Sequence, residues 1–206
     1  MSSILKVDQL QDSGGNAIIT SNGSGTITPN FNNAGGLVLL NTQTTTDGNT
    51  TNINFDSTYI TSNYTNYVAY ANVKPATDGV QLRIRFFVNG ILKSGASDYG
   101  VGVRDEGGGG TNDNDIDYLF GSQTNVGNQN NNESVCTQFN FFNLTSSNFS
   151  SGLGFLSNSV NANGLHAMLV GGGAANYSDA NDGIRFYWSA GNFASGSKIS
   201  LYGVKS

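Results

Sequence analysis

Between residues 80 and 88, Val80, Leu82, Ile84, Phe86 and Val88 alternate with Gln81, Arg83, Arg85 and Phe87. A period of two belongs to a pleated strand with one buried face. Asn89-Gly90 and then Ile91-Leu92 follow, which predicts a tight hairpin, because Asn and Gly both tolerate positive φ. Residues 135–142 repeat the pattern, with Val135, Thr137, Phe139 and Phe141 on one side. Segments 37–40, 52–55, 67–73, 99–103, 165–170, 184–189 and 199–204 add further strands, and none shows a helical period with caps. The Gly/Asn-rich stretches 105–115 and 121–133 read as long loops, and Gly171-Gly172-Gly173 reads as a turn. Many short strands without βαβ spacing predict an all-β fold: an antiparallel, jelly-roll-like sandwich over residues 37–206.

The first 36 residues differ. Ile4, Leu5, Val7 and Leu10 lead into Asp12-Ser13-Gly14-Gly15-Asn16, and Ile18 and Ile19 follow. This reads as a short extended β arm, strand–turn–strand, with a linker over 29–36. So short an arm cannot bury its own apolar side chains, so Ile4, Leu5, Val7, Leu10, Ile18 and Ile19 are expected to dock on another chain.

Composition narrows the function. Charged residues make up 11% of the 206 positions, against about 25% in typical domains, and the net charge is −5. No Lys/Arg cluster offers a nucleic-acid footprint. No apolar run reaches the length of a membrane helix, and the N-terminus has no apolar signal-peptide core. Cys136 is the only cysteine, which excludes an intrachain disulfide; it is expected as a small core residue.

The chemistry-bearing residues form no complete motif. Asp113, Asp115 and Asp117 stand two apart, as in a calcium loop, but Tyr118 and Thr124 occupy positions that need Gly and Glu. That excludes an EF-hand and leaves open an irregular calcium site or a plain acidic loop. Lys198 after Gly196-Ser197 misses the spacing of a phosphate loop. His166 is the sole histidine, and no nucleophile elbow accompanies it. Only Glu106 and Glu133 supply glutamates for paired-carboxylate chemistry. The chain is therefore expected to be no enzyme and to need no cofactor.

Two sets of residues carry a resemblance. Ser3-Ile4-Leu5-Lys6-Val7-Asp8-Gln9-Leu10-Gln11-Asp12-Ser13-Gly14-Gly15-Asn16 resembles an N-terminal docking module of virion structural proteins from marine and cyanobacterial bacteriophages. Phe55-Asp56-Ser57-Thr58-Tyr59, Pro75-Ala76-Thr77-Asp78-Gly79-Val80 and Asp182-Gly183-Ile184-Arg185-Phe186-Tyr187 resemble the β-sandwich heads of such fibre and decoration proteins, as does the stretch from Ile199 to Lys205. The resemblance implies a homotrimeric appendage on the exterior of the virion, made in the host cytoplasm and held by its arm to a major capsid or tail protein. It implies capsid decoration or a head fibre, or alternatively a tail fibre tip that recognises host surface glycans. An exposed Phe beside two arginines has the composition of a protein interface. Arg83, Arg85 and Phe87, with Tyr187 and Tyr202, are therefore expected at the subunit contact.

Overall fold

The computed structural model describes residues 9–21, 23–24, 27–29, 36–105, 109–123, 125–129, 133–163 and 166–205. Two compact units divide the chain, Met1–Gly35 and Gly36–Ser206. In the first, β1 (Gln9–Gln11), β2 (Ala17–Ser21) and β3 (Ile27–Pro29) form a three-stranded antiparallel sheet. The turn between β1 and β2 is closed by Asp12, whose Oδ1 accepts the backbone N–H of Gly14 at 2.8 Å and of Asn16 at 2.9 Å. Gly15 supplies the positive φ of 80° that this turn requires. The third strand lies partly inside the expected linker.

The second unit holds two sheets. Its strands are β4 (Gly36–Thr44), β5 (Asn52–Phe55), β6 (Asn66–Val73), β7 (Leu82–Val88), β8 (Ile91–Leu92), β9 (Tyr99–Asp105), β10 (Gly110–Ile116), β11 (Leu119–Phe120), β12 (Val135–Phe142), β13 (Gly152–Val160), β14 (His166–Ala175), β15 (Gly183–Trp188) and β16 (Lys198–Lys205). One sheet runs β10-β9-β14-β13-β12-β6-β16-β4 and the other β11-β7-β15-β5, with β8 folded back on β7. All their pairings are antiparallel. The expected all-β fold of antiparallel sheets is present, and no helix occurs among the described residues.

The core lies where the inner faces of these sheets meet. Phe86 on β7 stands edge-on to Phe141 on β12 at 6.1 Å, and Phe186 on β15 packs on Phe139 of β12 at 5.5 Å. Tyr99 is buried with them, and its hydroxyl accepts the Phe86 N–H at 2.8 Å and donates to the Lys93 carbonyl at 3.1 Å. That pair of bonds explains how a phenol can be buried at no loss of hydrogen bonding. The hairpin after β7 forms as its sequence requires, with φ of 51° at Asn89 and 72° at Gly90.

Three expectations need correction. Much of the presumed loop 105–115 is strand β10, which pairs with β9 as the edge of the large sheet. Its burial pattern is almost wholly exposed, so it lacks the apolar alternation that marks a strand in sequence. Gly171, Gly172 and Gly173 are no turn but the middle of β14. Cys136 is exposed on the outer face of β12, because the inward positions there belong to Val135, Thr137, Phe139 and Phe141.

Candidate functional site

Two solvent-facing sheet surfaces carry the head's candidate binding residues. On the small sheet, the register sets Arg85 opposite Arg185, Arg83 opposite Tyr187, and Phe120 opposite Arg83. Like charges directly opposite one another destabilise a strand pair. Here each guanidinium is tied down separately. Arg85 forms an ion pair with Asp117 and donates from Nε to the Asp117 carbonyl at 2.7 Å. Arg83 lies over the Tyr118 ring, 3.7 Å from its centroid, and donates to Gln81 Oε1 at 3.2 Å. Arg185 donates to Asn54 Oδ1 at 3.0 Å and sits 5.2 Å from the centroid of Phe87. Burial, and then the charge of Arg85, lower the pKa of Arg185 from the ordinary guanidinium value.

Four of the five expected interface residues, Arg83, Arg85, Phe87 and Tyr187, thus share one half-buried face. Tyr202 does not. It stands on β16 in the other sheet, on the outer face, with its ring edge-on to Tyr70 at 5.6 Å. Gln81, expected beside the arginines in the open, is buried.

Of the expected docking residues, Leu10 is exposed on β1, while Ile18 and Ile19 are half-buried on β2. Ile4, Leu5 and Val7 lie outside the described residues.

The outer face of the large sheet is the surface that the sequence did not single out. A groove of about 760 Å³ crosses it, lined by Tyr70, Asn72, Gln138, Asn140, Leu156 and Asn158 among others. Leu37 and Leu39 on β4 flank one side in the strand order, and Leu156, Met168 and Val170 on β13 and β14 the other, all exposed. Of the eleven large apolar residues exposed among the described residues, eight belong to this sheet. Leu156 was hidden because the inward positions of β13 pass from Leu153 and Phe155 to Ser157 and Ser159, which breaks the apolar alternation and leaves Leu156 on the outer face. Apolar residues at both parities of one strand, as in Ala167 to Val170, were the available signal.

The acidic and catalytic candidates do not converge. Asp113 and Asp115 are exposed on β10, whereas Asp117 is held by Arg85. Among the described residues no group of three or more His, Cys, Asp or Glu side chains could hold a metal. His166 is exposed at the start of β14. Glu133 is fully buried, and Glu106 lies outside the described residues.

Burial shifts the tyrosines. It pushes Tyr187 up to about 12 and raises Tyr67, Tyr99 and Tyr177 as well. A neutral phenol is favoured in the folded state, so this stabilisation is complete below the unfolded tyrosine pKa of about 10. It is lost as pH rises through the folded value. Absorbance titration at 295 nm should therefore show a late set of phenols ionising together with alkaline unfolding, well after the exposed ones; release of all nine tyrosines near pH 10 with the fold intact would contradict the burial described.

Neither the family models nor the curated proteins nor the solved structures include a match to this chain.

Proposed function

We propose that this chain is a non-enzymatic structural component of a bacteriophage particle, a homotrimeric surface appendage anchored by its N-terminal arm. The observation that carries the reading is the arm. Three short strands make a unit separate from the head, and their apolar side chains Leu10, Ile18 and Ile19 are left open or half-open to solvent. A sheet so small is marginal alone and gains stability by burying that surface against a partner. The resemblance of residues 3–16 to a phage docking module favours a capsid or tail protein as that partner. One compact head on a short arm has little reach, which favours decoration of the capsid or a head fibre.

The strand order supports reading the head as a jelly roll. Take β4, β5, β6, β7, β11, β12, β15 and β16 as strands one to eight. They pair as one–eight, two–seven, three–six and four–five, alternately in the large and the small sheet. A single long hairpin wrapped over itself generates this order, which is that of two nested Greek keys. On this reading β8, β9 and β10 are inserted before the fifth strand, and β13 and β14 before the seventh. The insertions widen one sheet to eight strands.

The arm is tested by removing it. A chain lacking residues 1–35 should fold, and its amount in purified particles should fall to background. Incorporation at normal occupancy would overturn the anchoring role.

A further inference from the structure

The two edges of the large sheet are treated differently by the sequence. At one edge, β10 exposes Asp113 and Asp115, and charges there discourage another strand from pairing. At the opposite edge, β4 reads Gly-Leu-Val-Leu-Leu-Asn-Thr-Gln-Thr, without a charge, and Leu37, Val38 and Leu39 are 46%, 36% and 56% exposed. A long apolar edge is an aggregation hazard unless a partner covers it. Leu40 is the extra residue of a bulge, since Tyr202 faces Leu39 and Leu201 faces Asn41. A bulge bends the strand and blunts direct edge-to-edge pairing, so what β4 offers a partner is its side chains.

Charge says what that partner is. Strands β4, β6, β12, β13, β14 and β16 contain no Asp or Glu at all, in a chain with 14 acidic residues. Like copies of a chain of net charge −5 repel one another, and this face is where the repulsion is least. A basic partner would find no carboxylate here, and the lysines of these strands are Lys198, at the groove, and Lys205, both on β16. Asn, Gln, Ser and Tyr side chains line the groove. Each donates and accepts hydrogen bonds, so each can pair with its own kind. The small sheet behaves oppositely: Arg83, Arg85 and Arg185 against Asp117 leave an excess of two positive charges that would face their own copies. At about 4.8 Å between strands and 3.4 Å per residue, the six strands span roughly 24 by 27 Å. That is comparable to the ~800 Å² each partner contributes to a stable interface.

We propose that the exposed β4 edge of one copy, through Leu37 and Leu39, packs into the Leu156-lined groove of the next copy's large sheet. A groove laid on its own copy leaves a void, whereas a protruding edge fills it. Edge into groove is therefore a head-to-tail contact, the kind that closes into a ring when the rotation permits. The inference rests on the oligomeric part of the reading above and not on the phage assignment. It moves the subunit contact away from Arg83, Arg85, Phe87 and Tyr187 and keeps Tyr202.

The test is light-scattering mass of the full chain. Wild type should run as a closed multiple of 21.6 kDa. Leu39→Glu and Leu156→Arg, each alone, should cut the assembled fraction at least tenfold while keeping the wild-type circular dichroism spectrum. The double variant sets Glu against Arg at every head-to-tail contact and should recover assembly, which a misfolded chain could not do. Arg85→Glu with Phe87→Ser should leave assembly unchanged. A monomeric wild type overturns the proposal and leaves the groove to a glycan or another protein. Single variants that stay assembled also overturn it, as do single variants that dissociate without recovery in the double. Arm deletion, scored on particles, fails or succeeds independently of these masses.

Discussion

Phe86→Ala should lower the stability of the head by about 3–5 kcal/mol, through lost transfer energy and a cavity that the sandwich cannot close. Phe86 is fully buried, and its ring is held edge-on by Tyr99 at 5.9 Å and by Phe141 at 6.1 Å. These neighbours belong to β9 and β12 of the opposite sheet, whose positions are set by ladders on both sides, so they cannot move in to fill the space. In a domain of this size each kcal/mol shifts Tm by about 2–4 °C, so the melt should fall by roughly 6–20 °C. The denaturant midpoint should fall with an unchanged slope. Phe149→Ser is the matched control: Phe149 is 66% exposed, and its loss should stay within about 0.5 kcal/mol. Equal effects from the two substitutions would mean that the sheets do not meet at Phe86.

Gly172 should tolerate no side chain, although it lies in a strand with none of its own to pack. A Cβ built there lies 2.3 Å from the carbonyl oxygen of Leu153 on β13. On either side of it, Gly171 and Gly173 would meet the carbonyls of Gly102 and Gly100 on β9 at 2.4 and 2.5 Å. The obstacles are backbone atoms of hydrogen-bonded neighbours, so relief requires opening a ladder. Gly172→Ala should destabilise by about 1–3 kcal/mol, and Gly172→Val by more, enough to drive the chain into inclusion bodies. Gly102→Ala is the contrast, because a Cβ there meets nothing within 4 Å; it should express and melt nearly as wild type. A Gly172→Val chain that melts like wild type would remove the close approach of β14 to its neighbours.

Why the sequence misread this triplet follows from the same geometry. Three glycines are the signal of a turn when only local conformation is considered. Here none has the positive φ that a turn would use, and the reason for them is contact across strands, which local sequence does not encode. Where one face of a strand is buried against the other sheet, the alternation was sufficient: 52–55 and 135–142 match β5 and β12 end to end. Where a strand lies at an edge with both faces wet, as β10 does, no alternation exists to be read.

The candidate surfaces divide in the same way. The arginine face was legible because β7 states its inner and outer residues in strict alternation. Its partner residues on β15 and β11, and the cover that Tyr118 and Asp117 give to Arg83 and Arg85, depend on register between strands far apart in sequence. Tyr202 was drawn to the wrong sheet for that reason: a strand's parity gives its face but not its sheet. The groove and the apolar β4 edge needed the order of the strands before they could be seen as one surface.

On the reading proposed above, this chain decorates a phage particle from an arm-held position on the exterior. A three-dimensional map of purified particles from infected host cells tests it most directly. Surface density into which the head fits as a ring of copies, held to the capsid or tail wall through the N-terminal arm, is expected. A complete map with every exterior density assigned to other chains, and with this protein present only in the host lysate, would contradict it.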